Sequence, residues 1–237
     1  SSLEYVGSGS APIPVSLIEA FKKKFNADIL EGYGLSEAAP VVSTHRRSMP
    51  IKPGSVGLPL PGVEIKIVDD QGNELPTGEV GELIVRGDNI TPGYFRNEEA
   101  TKEAIKDGWL YTGDMAKVDE DGYLYIVDRK KDLIIRGGFN IYPRELEELI
   151  SRHEAVSEVA VVGVPSERMG EEVVAFVVKK PKIEVSEEDI LEYCQSKLAK
   201  YKTPRRVLFV KTLPKNAVGK VLKQNLRSQI EDVELFI

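Results

Sequence analysis

The sequence predicts a mixed fold of helices and strands (α+β), and two patterns in the chain lead to this prediction. From Val63 onward, apolar and polar residues alternate, which is typical of strands with one buried face. Further along, helical and continuous apolar segments follow in the order helix, strand, strand, helix, strand. A charged run at residues 128–132 separates the two regions. We therefore expect one unit over residues 1–130, mostly β from 63 to 127, and a compact α+β unit over residues 131–237.

The first half of the chain is expected to contain two helices and several strands. Residues 12–26 show helical periodicity, with apolar side chains on one face. Those side chains are Leu17, Ile18, Phe21 and Phe25. Residues 31–37 are interrupted by Gly32 and Gly34 and are expected to be irregular. A small antiparallel sheet or distorted barrel should follow, with strands at 63–67 and 82–86, a short helix at 98–105 and a hairpin over 115–127.

In the second half of the chain, local signals mark where helices begin. Pro143 occupies a position suited to the first residue of a helix, since its missing N–H is not needed there. Ser186 and Asp189 have the spacing of a capping box. Continuous apolar runs predict buried strands at 159–164, 173–178 and 207–210.

Composition places the chain among ordinary globular proteins and excludes several classes. Of its 237 residues 41% are hydrophobic and 30% are charged, and no apolar run reaches the roughly 20 residues that a transmembrane helix needs. Cys194 is the only cysteine, so no disulfide forms within the chain and a cytoplasmic location is expected. With only two histidines beside it, a structural zinc site is not expected.

The charge of the chain is unevenly distributed. The net charge is −6, yet residues 193–230 contain ten Lys and Arg residues and no acidic residue. Such a stretch predicts an anionic partner. Aromatic residues, on which bases could stack, are sparse in it, which argues against nucleic acid. A phosphorylated small molecule is the expected partner.

Five polar clusters rich in glycine or charge recur along the chain. They lie at residues 7–12, 31–37, 111–114, 128–129 and 214–220. Together and in this order they resemble the adenylate-forming (ANL) family, and most of all its medium- and long-chain fatty acyl-CoA ligases. The resemblance implies the end of a large AMP-binding domain with a small β-barrel-like subdomain, followed by a compact mobile domain. It also implies two reactions: ATP and a carboxylic acid give an acyl-adenylate and pyrophosphate, and coenzyme A then gives a thioester and AMP.

The resemblance assigns roles to residues of the first unit. The nucleotide would be bound by Gly9, Ser10, Ala11, Tyr33, Gly34, Ser36, Asp114 and Arg129. Tyr33 would stack on adenine, and Asp114 would accept hydrogen bonds from the ribose hydroxyls. Ser36 would contact the α-phosphate, and Glu37 would bind Mg²⁺, a cation that prefers oxygen ligands.

The resemblance also assigns roles in the second unit. Lys220 would offset the negative charge between the carboxylate and the α-phosphate during adenylation. Lys131 would be the hinge about which the second unit rotates. Gly137 and Gly138 would line the passage for the thiol of coenzyme A, whose phosphates would lie on the basic stretch.

Each of these residues alone has a structural explanation too. Tyr33 could be a packed loop aromatic, Glu37 a carboxylate at a helix N-terminus, Asp114 a turn aspartate and Lys220 a surface lysine. The charged run before Gly137 could be solvated loop. The occurrence of five clusters in the family order favours the functional interpretation.

One part of the family pattern is absent from the sequence. The Ser/Thr/Gly-rich loop that holds the β- and γ-phosphates in the family does not occur, and its family position precedes Ser1. We therefore expect this chain to be the C-terminal part of a ligase, inactive by itself. A truncated large domain would expose apolar surface and favour self-association; the oligomeric state stays open.

The segment after Glu37 indicates the class of acid. The residues Ala38 to Val42 are small and apolar, as in fatty acyl-CoA ligases, which favours an alkyl chain. A ligase for an aromatic acid, and a non-catalytic module that binds an adenine nucleotide or coenzyme A, are the alternatives. A nucleic-acid binder is a third, weaker alternative.

Overall fold

The computed structural model describes residues 2–11, 13–217 and 219–230. The chain forms two compact units, residues 1–130 and 131–237, each with its own sheets and core. The predicted fold class is confirmed, since helices and three sheets are combined. None of the helices in the described part of the chain has the length and apolar character needed to span a bilayer.

The first unit begins with a four-stranded sheet that carries one helix. Its elements are β1 (Tyr5–Ser8), α1 (Val15–Phe25), β2 (Asp28–Gly34), β3 (Val41–Thr44) and β4 (Leu58–Pro59). The strands lie in chain order, with β1 and β2 parallel and the later pairs antiparallel. The expectation that residues 31–37 are irregular is wrong, because residues up to Gly34 continue β2 and pair with β3.

The predicted apolar face of α1 is only partly covered. Ile18 is buried, whereas Leu17 and Phe25 are 55% and 43% exposed. The ring of Phe25 packs on Phe21, with the ring centroids 4.7 Å apart. The first unit thus exposes apolar side chains on this helix.

The second sheet of the first unit is antiparallel and is the predicted β-rich region. Its elements are β5 (Glu64–Val68), β6 (Gly81–Arg86), α2 (Glu98–Ala104), β7 (Ile105–Lys106), β8 (Trp109–Val118) and β9 (Leu124–Arg129). The long strand β8 pairs with β6 on one side and with β7 and β9 on the other. The apolar side chains that alternate along β6 and β8 pack with Ala38 and Val42, so this sheet and the first share a core.

The second unit is a five-stranded sheet with helices. Its elements are β10 (Ile134–Arg136), β11 (Phe139–Ile141), α3 (Pro143–Ser151), β12 (Val156–Ser166), β13 (Gly170–Lys179), α4 (Glu187–Gln195), β14 (Arg206–Phe209) and α5 (Lys223–Ser228). The strand order is β11-β10-β13-β12, and β14 pairs in parallel with β13. The capping box of Ser186 and Asp189 and the start of α3 at Pro143 are confirmed.

The strands β12 and β13 are buried on both faces, which explains their uninterrupted apolar sequence. On one face, Val161 of β12 and Val173, Ala175 and Val177 of β13 pack with α3 and α4. On the other face, Val162, Val174 and their neighbours pack with Leu226 of α5. Sequence reasoning missed α5, because its six residues carry a single fully buried apolar side chain.

A buried histidine joins the loops of the first unit. His45 is 4% exposed, and its Nε2 accepts the backbone N–H of Lys52 and lies 3.0 Å from Ser55 Oγ. Burial lowers the pKa of His45 below its ordinary value. Protonation would turn this acceptor into a donor and would break the contact with Lys52.

We predict that His45 makes the stability of the first unit depend on pH. An unfolded histidine titrates near 6.5, so stability from neutral His45 is complete above that pH and is lost as the pH falls towards the lowered folded-state pKa. Urea unfolding at neutral and mildly acidic pH should show this loss in the wild type and less of it in His45→Gln. His153→Gln is the control, and a reduced pH dependence there instead of in H45Q would contradict the assignment.

Candidate functional site

Three side chains assigned to the nucleotide site meet in the first unit. Tyr33 Oη donates to Asp114 Oδ2 at 2.5 Å, and Arg129 Nε forms an ion pair with Asp114 Oδ1 at 2.9 Å. The Asp114 side chain is only 6% exposed, whereas that of Arg129 is 46% exposed. Tyr33 and Asp114 are 81 positions apart in the chain, and the fold brings them into direct contact.

The sheet geometry explains this meeting. Asp114 of β8 and Arg129 of β9 are paired residues of one antiparallel ladder, so their side chains lie on the same face. Gly113 just before them has φ +69°, a conformation that favours glycine, and its N–H donates to Glu82 Oε1 at 3.1 Å. Thr112 Oγ1 donates to the carbonyl of Leu83 and accepts the N–H of Asp114. The backbone around Asp114 is therefore tightly held.

The electrostatics of this group make Asp114 an oriented acceptor. Burial, and then the neighbouring Asp114 charge, raise the pKa of Tyr33, so its hydroxyl stays protonated and donates. A carboxylate offers about four acceptor positions, of which Tyr33 and Arg129 occupy two. These two side chains leave further lone pairs on the Asp114 carboxylate, and 6% of that side chain is exposed.

The segment after β1 forms a backbone edge beside β2. Gly9, Ser10 and Ala11 are exposed, and Ser10 has φ +68°. A Cβ on Gly9 would lie 3.3 Å from the carbonyl oxygen of Gly32, so the two segments run close together. Pro12, the last residue of this cluster, lies outside the described residues.

Gly34 has a structural reason of its own. A Cβ at this position would lie 1.8 Å from the carbonyl oxygen of Pro40, which no side chain could accommodate. Gly34 is therefore needed for the chain to turn back after β2, whether or not a nucleotide contacts it.

Ser36 and Glu37 follow β2 in a short 3₁₀ helix, Ser36–Ala38. Ser36 is exposed, and its hydroxyl makes no hydrogen bond within the described ranges. Glu37 Oε1 accepts the hydroxyl of Tyr94 at 2.9 Å, and its backbone carbonyl accepts the N–H of Thr91 at 2.8 Å. Sequence reasoning missed Tyr94, because only the fold brings it to Glu37.

The carboxylate of Glu37 suits a metal site in which a bound phosphate and water supply most of the ligands. In the part of the chain that the structure describes, no three His, Cys, Asp or Glu side chains are grouped so that they could hold a metal ion. One carboxylate is nevertheless sufficient for Mg²⁺, since phosphate oxygens and water supply the remaining ligands.

Lys220 lies in a closed turn of the second unit. Its N–H donates to Asn216 Oδ1 and its carbonyl accepts the N–H of Asn216, both at 2.9 Å. Ion pairs of Lys215 with Glu158 (2.6 Å) and Lys223 with Glu147 (2.8 Å) anchor the two sides of the turn. The Lys220 side chain is exposed, so the turn presents it to solvent. Val218 lies outside the described residues.

The glycine pair forms the turn between β10 and β11. Gly137 and Gly138 are exposed, with φ of +58° and +83°, values that favour glycine. A Cβ on Gly137 would meet Met169 Cε at 2.8 Å, whereas nothing lies within 4 Å of one on Gly138. Open space beside Gly138 is where another molecule could approach. Lys131 is exposed in a 3₁₀ turn, Lys130–Asp132.

About half of the cations in the basic stretch are paired with acidic residues from earlier in the chain. The pairs are Lys202–Glu145, Arg206–Glu187, Lys215–Glu158, Lys223–Glu147 and Arg227–Asp132. Lys200 and Arg205 form no ion pair with any described residue, and they line an open cleft of about 500 Å³. The positive charge left for a ligand is therefore smaller than the sequence indicates.

Comparison with known proteins gives matches to both units. Residues 1–95 match the model of the AMP-binding enzyme family, and residues 145–220 match that of the AMP-binding enzyme C-terminal domain. A long-chain fatty acid–CoA ligase of Salmonella typhimurium is 47% identical over 229 residues, which are 97% of this chain and 41% of that protein. A 2-succinylbenzoate–CoA ligase of Bacillus cereus is 43% identical over 234 residues, which are 98% of this chain and 48% of that protein.

A solved structure is similar as well. The crystal structure of ATP-bound MatB from Rhodopseudomonas palustris superimposes with a TM-score of 0.92 at 40% identity, over 96% of this chain and 45% of that one. The chain thus spans less than half the length of the relatives it matches.

We predict that Tyr33→Phe destabilises the first unit by about 1–3 kcal/mol, because it leaves a buried carboxylate without one of its donors. Urea unfolding measures the change. Tyr125→Phe is the matched control, since it removes a longer bond of 3.3 Å to the less buried Asp119 and should cost below about 1 kcal/mol. Equal losses in the two variants would contradict the role given to the Asp114 contact.

Proposed function

This chain belongs to the AMP-binding enzyme family, and from this premise we propose that it is part of a fatty acid–CoA ligase. The single observation that carries the proposal is the group of Tyr33, Asp114 and Arg129, a largely buried carboxylate held by a tyrosine hydroxyl and by an arginine that is half exposed. Such a group suits the ribose and base of an adenine nucleotide.

In the proposed first step, a carboxylate oxygen of the acid attacks the α-phosphorus of ATP, and the bond to the β-phosphate oxygen breaks. The products are an acyl-adenylate and pyrophosphate. Asp114 and Tyr33 hold the nucleoside, while Arg129 neutralises Asp114 and reaches the ribose or phosphate region. Ser36, whose hydroxyl is exposed, donates to an α-phosphate oxygen.

Two anions approach each other in this step, and cations must offset their charge. Lys220 supplies a mobile positive charge between the carboxylate and the α-phosphate. Mg²⁺, when bound, neutralises the phosphate oxygens. Glu37 would be its protein ligand, and the hydrogen bond from Tyr94 holds one of the two carboxylate oxygens.

In the proposed second step, the sulfur of coenzyme A attacks the acyl carbonyl, the bond to the AMP oxygen breaks, and the thiol proton passes to solvent. The open space at Gly138 would admit the thiol arm. The phosphates of coenzyme A suit Lys200 and Arg205, which line the cleft of the second unit. Rotation about Lys131 between the two steps belongs to the same proposal.

The acid is proposed to be a medium- or long-chain fatty acid. The support comes from the small apolar residues after Glu37 and from the 47% identity to a long-chain fatty acid–CoA ligase. An aromatic acid is the second candidate, favoured by the 43% identity to a 2-succinylbenzoate–CoA ligase. Thioester formation by the full-length protein with fatty acids and with benzoates decides between them. We place the activity in the cytoplasm, as expected from the single cysteine.

We predict that Lys220→Ala in the full-length protein lowers ATP–pyrophosphate exchange by about 100-fold or more, because charge between the two anions is no longer offset. Thioester formation from a supplied acyl-adenylate should change little, since that step has no attack on phosphorus. Lys180→Ala is the control, as Lys180 is exposed in the same unit outside the basic stretch and should affect neither step. Equal losses in both half-reactions would refute the role of Lys220.

We predict that the 237-residue chain alone shows no pyrophosphate exchange above background, because it has no loop to bind the β- and γ-phosphates. The full-length protein is the positive control. Exchange that depends on both ATP and an acid in the chain alone would overturn this expectation. Binding of AMP or coenzyme A by a full-length protein without turnover would instead favour the non-catalytic module.

A further inference from the structure

The arginine that precedes the glycine pair joins two loops of the second unit. Arg136 is the last residue of β10, and its Nη1 donates to the backbone carbonyls of Tyr201 and Thr203, each at 3.0 Å. Its Nε forms an ion pair with Glu172 Oε2 at 2.7 Å. The arginine side chain is 15% exposed and the glutamate 11% exposed, so both charges are largely removed from water.

Backbone pairing joins β10 to its neighbour β13 over a short distance only. Within the described sheet ladder, β10 is joined to β13 by a single residue pair, Arg136 with Gly170. Two further hydrogen bonds hold this edge: Gly137 N–H donates to the Met169 carbonyl, and Ile135 N–H donates to the side chain of Glu171. The hairpin itself is anchored by the β10–β11 ladder and by Ile134 and Ile141 in the core. The guanidinium of Arg136 adds the hydrogen bonds that join the turn to the segment 201–203.

An aromatic contact links the same two segments at the surface. Phe139 comes directly after the glycine pair, is 55% exposed, and stacks on Tyr201 with ring centroids 4.6 Å apart. The glycine turn and the segment 201–203 are thus joined by arginine on the buried side and by stacked rings on the exposed side.

We propose that Arg136 is a positioning residue for the thioester-forming step, an inference that rests on the proposed function. It holds the turn of Gly137 and Gly138 against the segment 201–203 at the spacing that the thiol arm requires. Nη1 donates to both carbonyls, while Nε lies 2.7 Å from Glu172 Oε2 as an ion pair without hydrogen-bond geometry. A guanidinium spreads its donors and its charge over three nitrogens in a rigid plane, an arrangement that the single nitrogen of a lysine ammonium does not reproduce.

Arg136→Lys in the full-length protein tests the inference, with both half-reactions measured separately. The KM for coenzyme A should rise about tenfold in thioester formation from supplied acyl-adenylate, because small misplacements at a site are costly. Pyrophosphate exchange should stay within about twofold of wild type, since a local change at the turn leaves the first unit intact. An unchanged KM for coenzyme A, or an equal loss in both half-reactions, would overturn the proposal.

Two further variants keep the test decisive. Arg144→Lys makes the same chemical change at an ion pair of the same unit that lies outside the basic stretch, Arg144 with Glu148 at 3.0 Å, and should alter neither half-reaction. If R136K does not fold, Glu172→Gln removes the charge partner with little change in shape and should raise the KM for coenzyme A in the same direction. An unchanged KM in E172Q would then overturn the proposal.

Hydrogen exchange separates this inference from the proposed function. Amide exchange at residues 137–139 should be faster in R136K than in wild type and unchanged in R144K. Equal protection in R136K and wild type would refute the positioning role whatever the activity. A wild-type protein that makes no thioester would refute the ligase proposal, while the exchange measurement still decides whether Arg136 holds the turn.

Discussion

A carboxylate removed from water must be paired, and this constraint shapes the centre of the first unit. Asp114 is held by the Tyr33 hydroxyl and the Arg129 guanidinium, donors from two different sheets. The contact ties the end of β2 to the ladder of β8 and β9. In the proposed function, the same carboxylate receives the ribose hydroxyls with its own charge already offset.

The fold was predictable where the signal is local. Pro143 and the pair Ser186 and Asp189 mark helix starts through backbone chemistry within one turn, and the structure has both helices there. The glycines of β2 were misleading for the opposite reason. Gly34 is required by the approach of Pro40, a tertiary contact that no local pattern reveals.

The candidate site was predictable only as a set of residue types. The motifs contain Tyr33, Asp114 and Arg129, and the fold shows that Asp114 contacts both of the others. Sequence reasoning missed Tyr94 and Arg136, because the partners of each lie far away along the chain. The basic stretch was overestimated, since sequence shows the segregation of charge but not the acidic side chains that fold back onto it.

The two-sided burial of β12 and β13 has a consequence for how the strands align. When both faces are apolar, sliding one strand by a residue exchanges one hydrophobic face for another, and hydrophobicity does not penalise the slip. Steric fit must decide instead. Gly163 pairs with Val173, and a Cβ there would lie 2.7 Å from Glu171 Oε1 and 3.1 Å from Ile134 Cγ1. A slip that brought a valine to this place would therefore require both neighbouring side chains to move, so a residue without a side chain favours the observed alignment.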